Sequence, residues 1–430
     1  MGSADTIFAL SSGAPPAAIA IVRISGANAF EAVRRLAGTL PAPRKAVLRN
    51  LKNPADGGLL DRALVLVFPG PATATGEDLA ELHLHGGRAV VRGVETALSA
   101  ISGLRRAEPG EFTRRAFANG RIDLNEAEGL ADLLSAETEW QRRAAAAMAG
   151  GAFSQQVEVW RETLLRLAAM LEAELDFSDE GDVDSHDYSI ISNGCAELHD
   201  AIGRHLQQPS AEKLRDGLRV VLAGPPNSGK STLLNALAAR EAAIVSDIAG
   251  TTRDLIEVPV ALEGIAFLLT DTAGLREDSD DAIEAIGIAR AARAIADADM
   301  VLWLGGEGEG PRHPNLVEIE AKADMDDHAR KSGALVVSAR SGQGMGELVS
   351  LLVAKGRDML PPPDGFALNQ RQRHLLRDTS LFLAHASKAA DPLIMAEELR
   401  QARLALDALT GRASTEDMLD ALFGRFCIGK

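Results

Sequence analysis

The sequence has little cysteine, no long apolar run and no excess of basic residues. With only Cys195 and Cys427 among 430 residues, a disulfide-stapled secreted scaffold is excluded and a reducing cytoplasm is favoured. No apolar stretch approaches the roughly 18 residues of a membrane span, and the N-terminus lacks a basic-then-apolar signal. The formal net charge of −16 excludes a globally basic nucleic-acid binder, so any RNA contact must use a local patch or a partner.

What the sequence does contain is a phosphate-binding loop. Residues 224–231 read Gly-Pro-Pro-Asn-Ser-Gly-Lys-Ser and match G-x-x-x-x-G-K-[ST], between an apolar strand predicted at 218–223 and a helix predicted at 231–240. In such a loop, backbone N–H groups surround phosphate oxygens, Lys230 neutralises the β- and γ-phosphates, and the Ser231 hydroxyl can hold Mg²⁺. The sequence therefore predicts that the protein binds a nucleoside triphosphate.

Two switch motifs follow in the order found in GTPases. The segment 250–254, Gly-Thr-Thr-Arg-Asp, contains a threonine hydroxyl that can reach Mg²⁺ when the γ-phosphate is present. A strand predicted at 265–269 then runs into Asp271-Thr272-Ala273-Gly274, where Asp271 can bind Mg²⁺ through water and the Gly274 N–H can sense the γ-phosphate. Three motifs in this order exclude most accidental readings.

Base selection is predicted further along the chain. Residues 321–324, Ala-Lys-Ala-Asp, stand where GTPases place N/T-K-x-D, so Asp324 is predicted to accept hydrogen bonds from guanine and the Lys322 stem to cover the ring. Ala321 departs from the pattern and removes a hydrogen bond of about 1 kcal/mol, which predicts weaker binding with guanine preference kept. Ser338-Ala339-Arg340 fits the loop that backs the base.

The residue after the second switch motif cannot orient an attacking water. It is Leu275, where Ras-type enzymes have glutamine. The acidic run 277–284 offers carboxylates on a predicted mobile loop, with ordinary solvated surface charge as an equal alternative. Charge that builds between the β- and γ-phosphates requires an arginine or a bound metal, and Asn227 supplies an oxygen where a monovalent cation could sit.

Taken together, the motifs resemble those of the MnmE (TrmE) family of tRNA-modification GTPases. The resemblance runs nearly end to end, and besides the GTPase motifs it is carried by D-T-I (5–7), V-R-I-S-G (22–26), G-E-D-x-x-E-L-x-x-H-G-G (76–87), P-G-E-F-T-x-R-A-F (109–117), D-T-A-G-L-R (271–276) and F-C-I-G-K (426–430). It implies a multidomain α/β plus all-α fold. An α/β folate-binding and dimerisation domain (1–119) is followed by a helical domain in two parts (120–216 and 359–430), with a Ras-like P-loop GTPase domain (217–358) inserted between the parts.

The resemblance also implies roles for individual residues. Ser231 and Thr252 would hold Mg²⁺, and Glu284 would orient the attacking water. The residues that would coordinate K⁺ in place of an arginine finger are Asn227, Ser246, Ile248 and Thr251. The residues matching positions that contact 5-formyltetrahydrofolate are Arg23, Glu81, Arg121 and Lys430, and Cys427 matches the family's C-terminal cysteine. The full predicted nucleotide-binding set is Asn227, Ser228, Gly229, Lys230, Ser231, Thr232, Ser246, Asp247, Ile248, Ala249, Gly250, Thr251, Thr252, Asp271, Thr272, Ala273, Gly274, Lys322, Asp324, Ser338 and Ala339.

The implied function is a K⁺-stimulated GTPase that acts on tRNA. As a cytoplasmic homodimer without a membrane partner, it would work with a MnmG-type flavoprotein that supplies FAD and NADH chemistry. Together they would add a (carboxymethyl)aminomethyl group to C5 of the wobble uridine. Two other hypotheses stay open at this point: a GTP-dependent ribosome-assembly factor, against which the acidic balance counts, and a nucleotide-gated scaffold without relevant catalysis, which Ala321 favours slightly.

Overall fold

The computed structural model describes residues 5–177, 188–240, 256–272, 281–325, 331–363, 365–412, 416–424 and 426–429. The chain divides into two compact units. Unit 1 comprises Met1–Ala131 and Asp407–Lys430, and unit 2 comprises Asp132–Leu406.

Unit 1 is built on a mixed six-stranded sheet. Its strands are β1 (Thr6–Leu10), β2 (Ile19–Ser25), β3 (Val47–Lys52), β4 (Leu59–Phe68), β5 (Leu79–His85) and β6 (Leu104–Arg106). They lie in the order β3-β4-β5-β2-β1-β6, with only the β1–β6 pair parallel. The associated helices are α1 (Ala29–Ala37), α2 (Arg88–Ser99), α3 (Glu111–Ala118) and the beginning of α4 (Leu124–Ser135). Alternation along the strands buries one sheet face, so Val22, Val65 and Leu82 pack with Val33 and Val94 of the helices.

The C-terminal segment of unit 1 packs against the first strand. It contains α14 (Glu416–Phe423), and beyond it Ile428 bridges to Pro109 while the Ser11 hydroxyl donates to the Gly429 carbonyl oxygen at 2.7 Å. Gly429 has a φ of +99°, and a Cβ there would lie 2.0 Å from the carbonyl oxygen of Leu10. Only glycine therefore fits where the tail passes β1.

Unit 2 contains a second six-stranded sheet. Its strands are β7 (Leu218–Ala223), β8 (Ile256–Leu262), β9 (Ile265–Asp271), β10 (Met300–Trp303), β11 (Leu316–Glu320) and β12 (Leu335–Val336), in the order β12-β11-β10-β7-β9-β8. All pairs are parallel except β8–β9. The accompanying helices are α9 (Lys230–Arg240), α10 (Asp281–Ala296) and α11 (Met345–Met359). In such a sheet, ligands bind beyond the carboxyl ends of the parallel strands, where the loops after β7, β9, β11 and β12 meet.

Helices precede and follow this sheet within unit 2. They are α5 (Glu139–Ala149), α6 (Ala152–Phe177), α7 (Ser189–Leu206), α8 (Ala211–Asp216), α12 (Gln370–Ala386) and α13 (Pro392–Leu409). The stretch 124–149, whose composition predicts continuous helix, is divided because Thr138 starts α5 with a reciprocal capping box to Gln141. None of the described helices is long and apolar enough to cross a bilayer.

The predicted fold class, multidomain α/β plus all-α, is confirmed: a mostly parallel α/β module lies between helical segments, and an α/β domain precedes them. The residue boundaries predicted for the domains stay predictions.

Candidate nucleotide-binding site

The phosphate loop connects β7 to α9 in the predicted order. Gly229 at φ +101° and Asn227 at φ +59° occupy left-handed backbone conformations that let the loop turn tightly. Lys230 is buried, 5% exposed, and its ammonium donates to the carbonyl oxygens of Gly224 and Pro225 at 3.0 and 2.9 Å. The Ser228 hydroxyl is also buried and has no hydrogen-bond partner among the described residues. A loop that encloses a cation and an unpaired hydroxyl suits the phosphates of a nucleotide.

Next to the loop, two oxygen groups converge. The Ser231 hydroxyl, in the first turn of α9, hydrogen-bonds to the buried Asp271 carboxylate at the end of β9. The Thr272 hydroxyl donates to the Leu222 carbonyl oxygen at 2.9 Å, which holds the end of β9 against β7. A hydroxyl and a carboxylate at the phosphate end of a P-loop are the hard oxygen donors that Mg²⁺ prefers. The pair therefore fits the magnesium site predicted from the sequence.

A cavity of about 210 Å³ follows on the base side of the loop. It is lined by Gly229, Thr232, Leu233, Ala321, Lys322, Asp324, Met325, Val337, Ala339 and Arg340. The fully buried Ser338 hydroxyl donates to Asp324 Oδ1 at 2.7 Å and fixes the carboxylate. Lys322, at φ +63°, donates from Nζ to the Asn227 carbonyl oxygen at 2.6 Å, which ties the base loop to the phosphate loop.

The structure thus brings together those residues predicted to bind the phosphates, Mg²⁺ and the base that lie within its described ranges. The predicted residues that fall outside those ranges are Ser246, Asp247, Ile248, Ala249, Gly250, Thr251, Thr252, Ala273 and Gly274. The prediction of a loop through position 284 was wrong in part, because α10 begins at Asp281 and places the Glu284 backbone in a helical turn. Sequence reasoning missed Leu233 and Met325 as cavity residues, although each directly follows a predicted site residue.

In unit 1, two of the predicted folate residues form an ion pair. Arg23 and Glu81 lie directly opposite each other on β2 and β5, with Arg23 Nη2 2.9 Å from Glu81 Oε1. The guanidinium carbon of Arg23 lies 6.0 Å from the centre of the Phe112 ring. Arg121 is anchored elsewhere, since its Nε donates to the Thr73 carbonyl oxygen at 3.2 Å. Lys430 lies outside the described residues.

The two histidines at the end of β5 have ordinary partners. His83 Nε2 lies 3.2 Å from Glu81 Oε2, and His85 Nδ1 lies 2.7 Å from Asp61 Oδ1. Burial raises the pKa of Asp61, but its hydrogen bonds from His85 outweigh that effect and hold the pKa below its usual value.

Charged residues in and beside the unit 1 motifs form a partly buried network that the sequence analysis did not assign. Arg115, whose side chain is 7% exposed, contacts Glu77 Oε2 and Glu111 Oε1, each at 3.1 Å, and Arg105 Nη2 lies 2.6 Å from the same Glu111 oxygen. Burial of Glu111 raises its pKa, but the hydrogen bonds, chiefly from Arg105, lower it below the usual value.

This network borders a cavity larger than the one beside the phosphate loop. The cavity measures about 580 Å³ and is lined by Glu77, Arg105, Glu108, Pro109, Glu111, Arg114, Arg115, Ala118, Asn119, Asp420, Phe423 and Gly424. Nearby, the exposed Cys427 accepts a 3.5 Å hydrogen bond from the Gly110 N–H through its carbonyl oxygen. None of Arg23, Glu81 and Arg121 lines this cavity.

Comparison with known proteins covers the whole chain. The family model described as GTP-binding protein TrmE N-terminus matches residues 6–121, and the MnmE helical domain model matches residues 124–427. The tRNA modification GTPase MnmE of Rhizorhabdus wittichii is 61% identical over 430 residues, covering 100% of this chain and 97% of the relative. The protein of the same name from Novosphingobium aromaticivorans is 58% identical over 435 residues, covering 99% of this chain and 100% of the relative.

A solved structure of Era in complex with MgGDPNP and nucleotides 1506–1542 of 16S ribosomal RNA is 19% identical, covers 48% of this chain and 98% of its own, and has a TM-score of 0.26. The full-length identity to curated relatives and the two matching family models, together with the P-loop site described above, lead to one conclusion: the chain belongs to the MnmE family of tRNA modification GTPases.

Proposed function

We propose that this GTP hydrolase is stimulated by K⁺ and that, with a flavoprotein partner of the MnmG type, it adds a (carboxymethyl)aminomethyl group to C5 of the wobble uridine in tRNA. The observation that carries the proposal is the site in unit 2. There, Ser231 meets Asp271 and Ser338 fixes Asp324, while the chain has Leu275 where a water-orienting glutamine would stand. Full-length relatives that are named tRNA modification GTPases support the tRNA substrate.

The K⁺ proposal rests on Asn227. Its carbonyl oxygen is held by Lys322 and its backbone is fixed at φ +59°, yet its side chain is exposed at the rim of the phosphate loop. Ser246, Ile248 and Thr251 would complete the ligand set, Thr252 would join Ser231 at Mg²⁺, and Glu284 in the first turns of α10 would orient the attacking water. When bound there, K⁺ supplies positive charge beside the β- and γ-phosphates, as an arginine finger does.

Hydrolysis rates in KCl and NaCl at equal ionic strength test this proposal. We expect stimulation by KCl, which Asn227→Ala abolishes and Asn235→Ala, an exposed change on α9, retains. Equal rates of the unmodified protein in the two salts would contradict K⁺ stimulation. They would leave the assignment as a GTPase intact.

For unit 1 we propose folate binding at Arg23, Glu81, Arg121 and Lys430. A guanidinium and a carboxylate beside the Phe112 ring suit a ligand that combines rings, N–H groups and carboxylates, as 5-formyltetrahydrofolate does. Titration with 5-formyltetrahydrofolate should show binding that Glu81→Gln weakens, whereas Glu31→Gln on α1, whose side chain is 46% exposed, leaves it unchanged. Undiminished binding by the Glu81 variant would refute this assignment.

We propose that the chain is a homodimer through this domain. The outer face of its sheet exposes Leu48 and Leu64, which lie directly opposite each other on β3 and β4 and are 45% and 43% exposed. Neighbouring apolar side chains at a sheet surface favour a protein partner. Light scattering should find a dimer that Leu48→Asp with Leu64→Asp converts to monomer. A monomeric wild-type chain would refute the proposal.

The flavoprotein partnership and the cytoplasmic location are proposals as well. Two free cysteines, Cys195 and Cys427, are consistent with a reducing compartment. We also propose the domain boundaries 1–119, 120–216, 217–358 and 359–430.

Co-purification with the flavoprotein, followed by nucleoside analysis of tRNA from cells lacking this chain, is the decisive experiment for the proposed function. Unchanged wobble uridines in those cells would remove the proposed function.

A further inference from the structure

Trp140 and Gln141, at the start of α5, contact the sheet of the GTPase module and the two segments that flank the module in sequence. The Trp140 backbone N–H donates to the Gly264 carbonyl oxygen in the β8–β9 turn at 3.4 Å, and its indole Nε1 donates to the Pro361 carbonyl oxygen at 3.0 Å. Gln141 Nε2 donates to the carbonyl oxygens of Leu214 and Arg215 at 3.0 and 3.2 Å. One turn of helix therefore holds the segment that enters the module, the segment that leaves it and a turn of its sheet.

Gln141 performs two tasks with its two ends. Its carbonyl oxygen accepts from the backbone N–H of Thr138 at 2.9 Å, which completes the capping box of α5. Its amide nitrogen makes the two bonds to the end of α8. The side chain is 8% exposed, so losing either set of bonds leaves polar groups with little access to water. The two tasks can be separated by substitution, because a glutamate at this position keeps the acceptor and loses the donor.

The β8–β9 hairpin is a stiff connection between this joint and the nucleotide. Its two-residue turn has φ values of +45° at Glu263 and +82° at Gly264, as a tight hairpin turn requires. Phe267 and Leu269 of β9 are buried in the core of the module, with 1% and 0% exposure. Six extended residues, 265–270, separate the turn from Asp271, a span of about 20 Å. A packed strand moves as a unit, so a shift at Asp271 reaches the turn.

We propose that Trp140 and Gln141 are positioning residues that couple the nucleotide state, sensed at the Asp271 end of β9, to the helical segments of unit 2. Trp140 moves together with the hairpin turn. Gln141 fixes α5 to α8 and thereby makes α5 move with Trp140. This inference deepens the proposed function, because it assigns residues to the coupling between GTP hydrolysis and tRNA modification. Neither residue lines the cavity beside the phosphate loop in the part of the chain that the structure describes.

Tryptophan emission tests the joint directly, without any tRNA. In a Trp160→Phe, Trp303→Phe protein, Trp140 is the sole tryptophan, since the chain contains three. We expect its emission to differ between the GDP complex and the complex with a non-hydrolysable GTP analogue and Mg²⁺. A protein that retains only Trp160, in the aromatic cluster with Phe153, is the matched reporter and should not respond. Identical Trp140 emission in both nucleotide states would overturn the proposal.

A second measurement separates coupling from stability. Gln141→Glu keeps the cap and breaks the contact with α8, and Trp140→Phe keeps an aromatic ring and loses the indole donor. We expect the rate of GTP hydrolysis to stay within about twofold of wild type. The amount of tRNA modified per GTP hydrolysed should fall about fivefold, which is the lower end of typical coupling energies. Trp160→Phe, which weakens packing away from the joint, should leave that ratio unchanged. If both joint variants modify as much tRNA per GTP hydrolysed as wild type, the coupling role is refuted. If the wild-type protein modifies no tRNA, the proposed function is refuted, but the emission test of the joint remains valid.

Discussion

Replacing Ser338 by alanine tests whether one buried hydroxyl fixes Asp324, the carboxylate that is predicted to bind guanine. Ser338 is 0% exposed, and its hydroxyl lies 2.7 Å from Asp324 Oδ1. A hydrogen bond to a charged group contributes roughly 1.5–3 kcal/mol. Because Asp324 lines an open cavity, water can partly replace the lost donor, so we expect the lower value. A loss of about 1.4 kcal/mol corresponds to roughly tenfold weaker binding of GDP.

Titration with a fluorescent GDP analogue measures this loss. Ser341→Ala is the matched control, because the exposed Ser341 hydroxyl accepts only a weak 3.4 Å hydrogen bond from the Gln343 N–H. The Ser341 backbone N–H, which donates to the Ser338 hydroxyl at 3.1 Å, is kept in this control. The variant protein should also discriminate less well between guanine and adenine nucleotides, since the Asp324 carboxylate samples more rotamers once it has lost this hydrogen bond. If Ser338→Ala binds GDP within twofold of wild type, the hydroxyl does not position Asp324 and the reasoning fails.

Two further predictions concern stability. Gly429→Ala should release the C-terminal tail, because the new methyl group would clash with the Leu10 carbonyl oxygen. Faster proteolysis at the tail would show this release. The control Gly13→Ala should behave as wild type, since a Cβ at Gly13 has no atom within 4 Å. Burial lowers the pKa of His205, whose ring lies 5.3 Å from that of Trp160, so the folded state resists its protonation. Its contribution to stability is complete above pH ~6.5 and is lost as the pH falls below that value, at up to about 1.4 kcal/mol per unit. Urea unfolding near pH 7.5 and 5.5 should show a smaller difference for His205→Phe than for wild type or for exposed His374→Gln; an equal difference in all three would contradict this origin.

Local patterns predicted the GTPase module well because its chemistry is local. The phosphate loop needs Gly229, Lys230 and Ser231 within three positions, and the sequence analysis placed β7 at its observed bounds, Leu218–Ala223. The break between α4 and α5 was also readable. Thr138 and Gln141 have the T-x-x-Q spacing of a capping box, a signal that the helical composition on both sides obscured.

The network in unit 1 could not be predicted in the same way. Glu77 and Arg115 are 38 positions apart, and only the packing of α3 beside the loop before β5 makes them partners. The sequence showed both residues inside motifs but gave no reason for their presence. Likewise, the acidic run ending at Glu284 has no strong periodicity, so the start of α10 within it depends on its place beside the sheet.

The docking of the tail on β1 has a consequence for biosynthesis. A ribosome makes β1 before all of unit 2, but the residues that cover β1, around Gly429, emerge after unit 2. At 5–20 residues per second, that delay is on the order of tens of seconds. During this interval the nascent α/β domain lacks Phe423 and Phe426, which are 2% and 5% exposed in the finished chain. A chaperone that shields apolar surface could bind the nascent α/β domain at the surface that these residues later cover, although nearly all of that domain has already been translated.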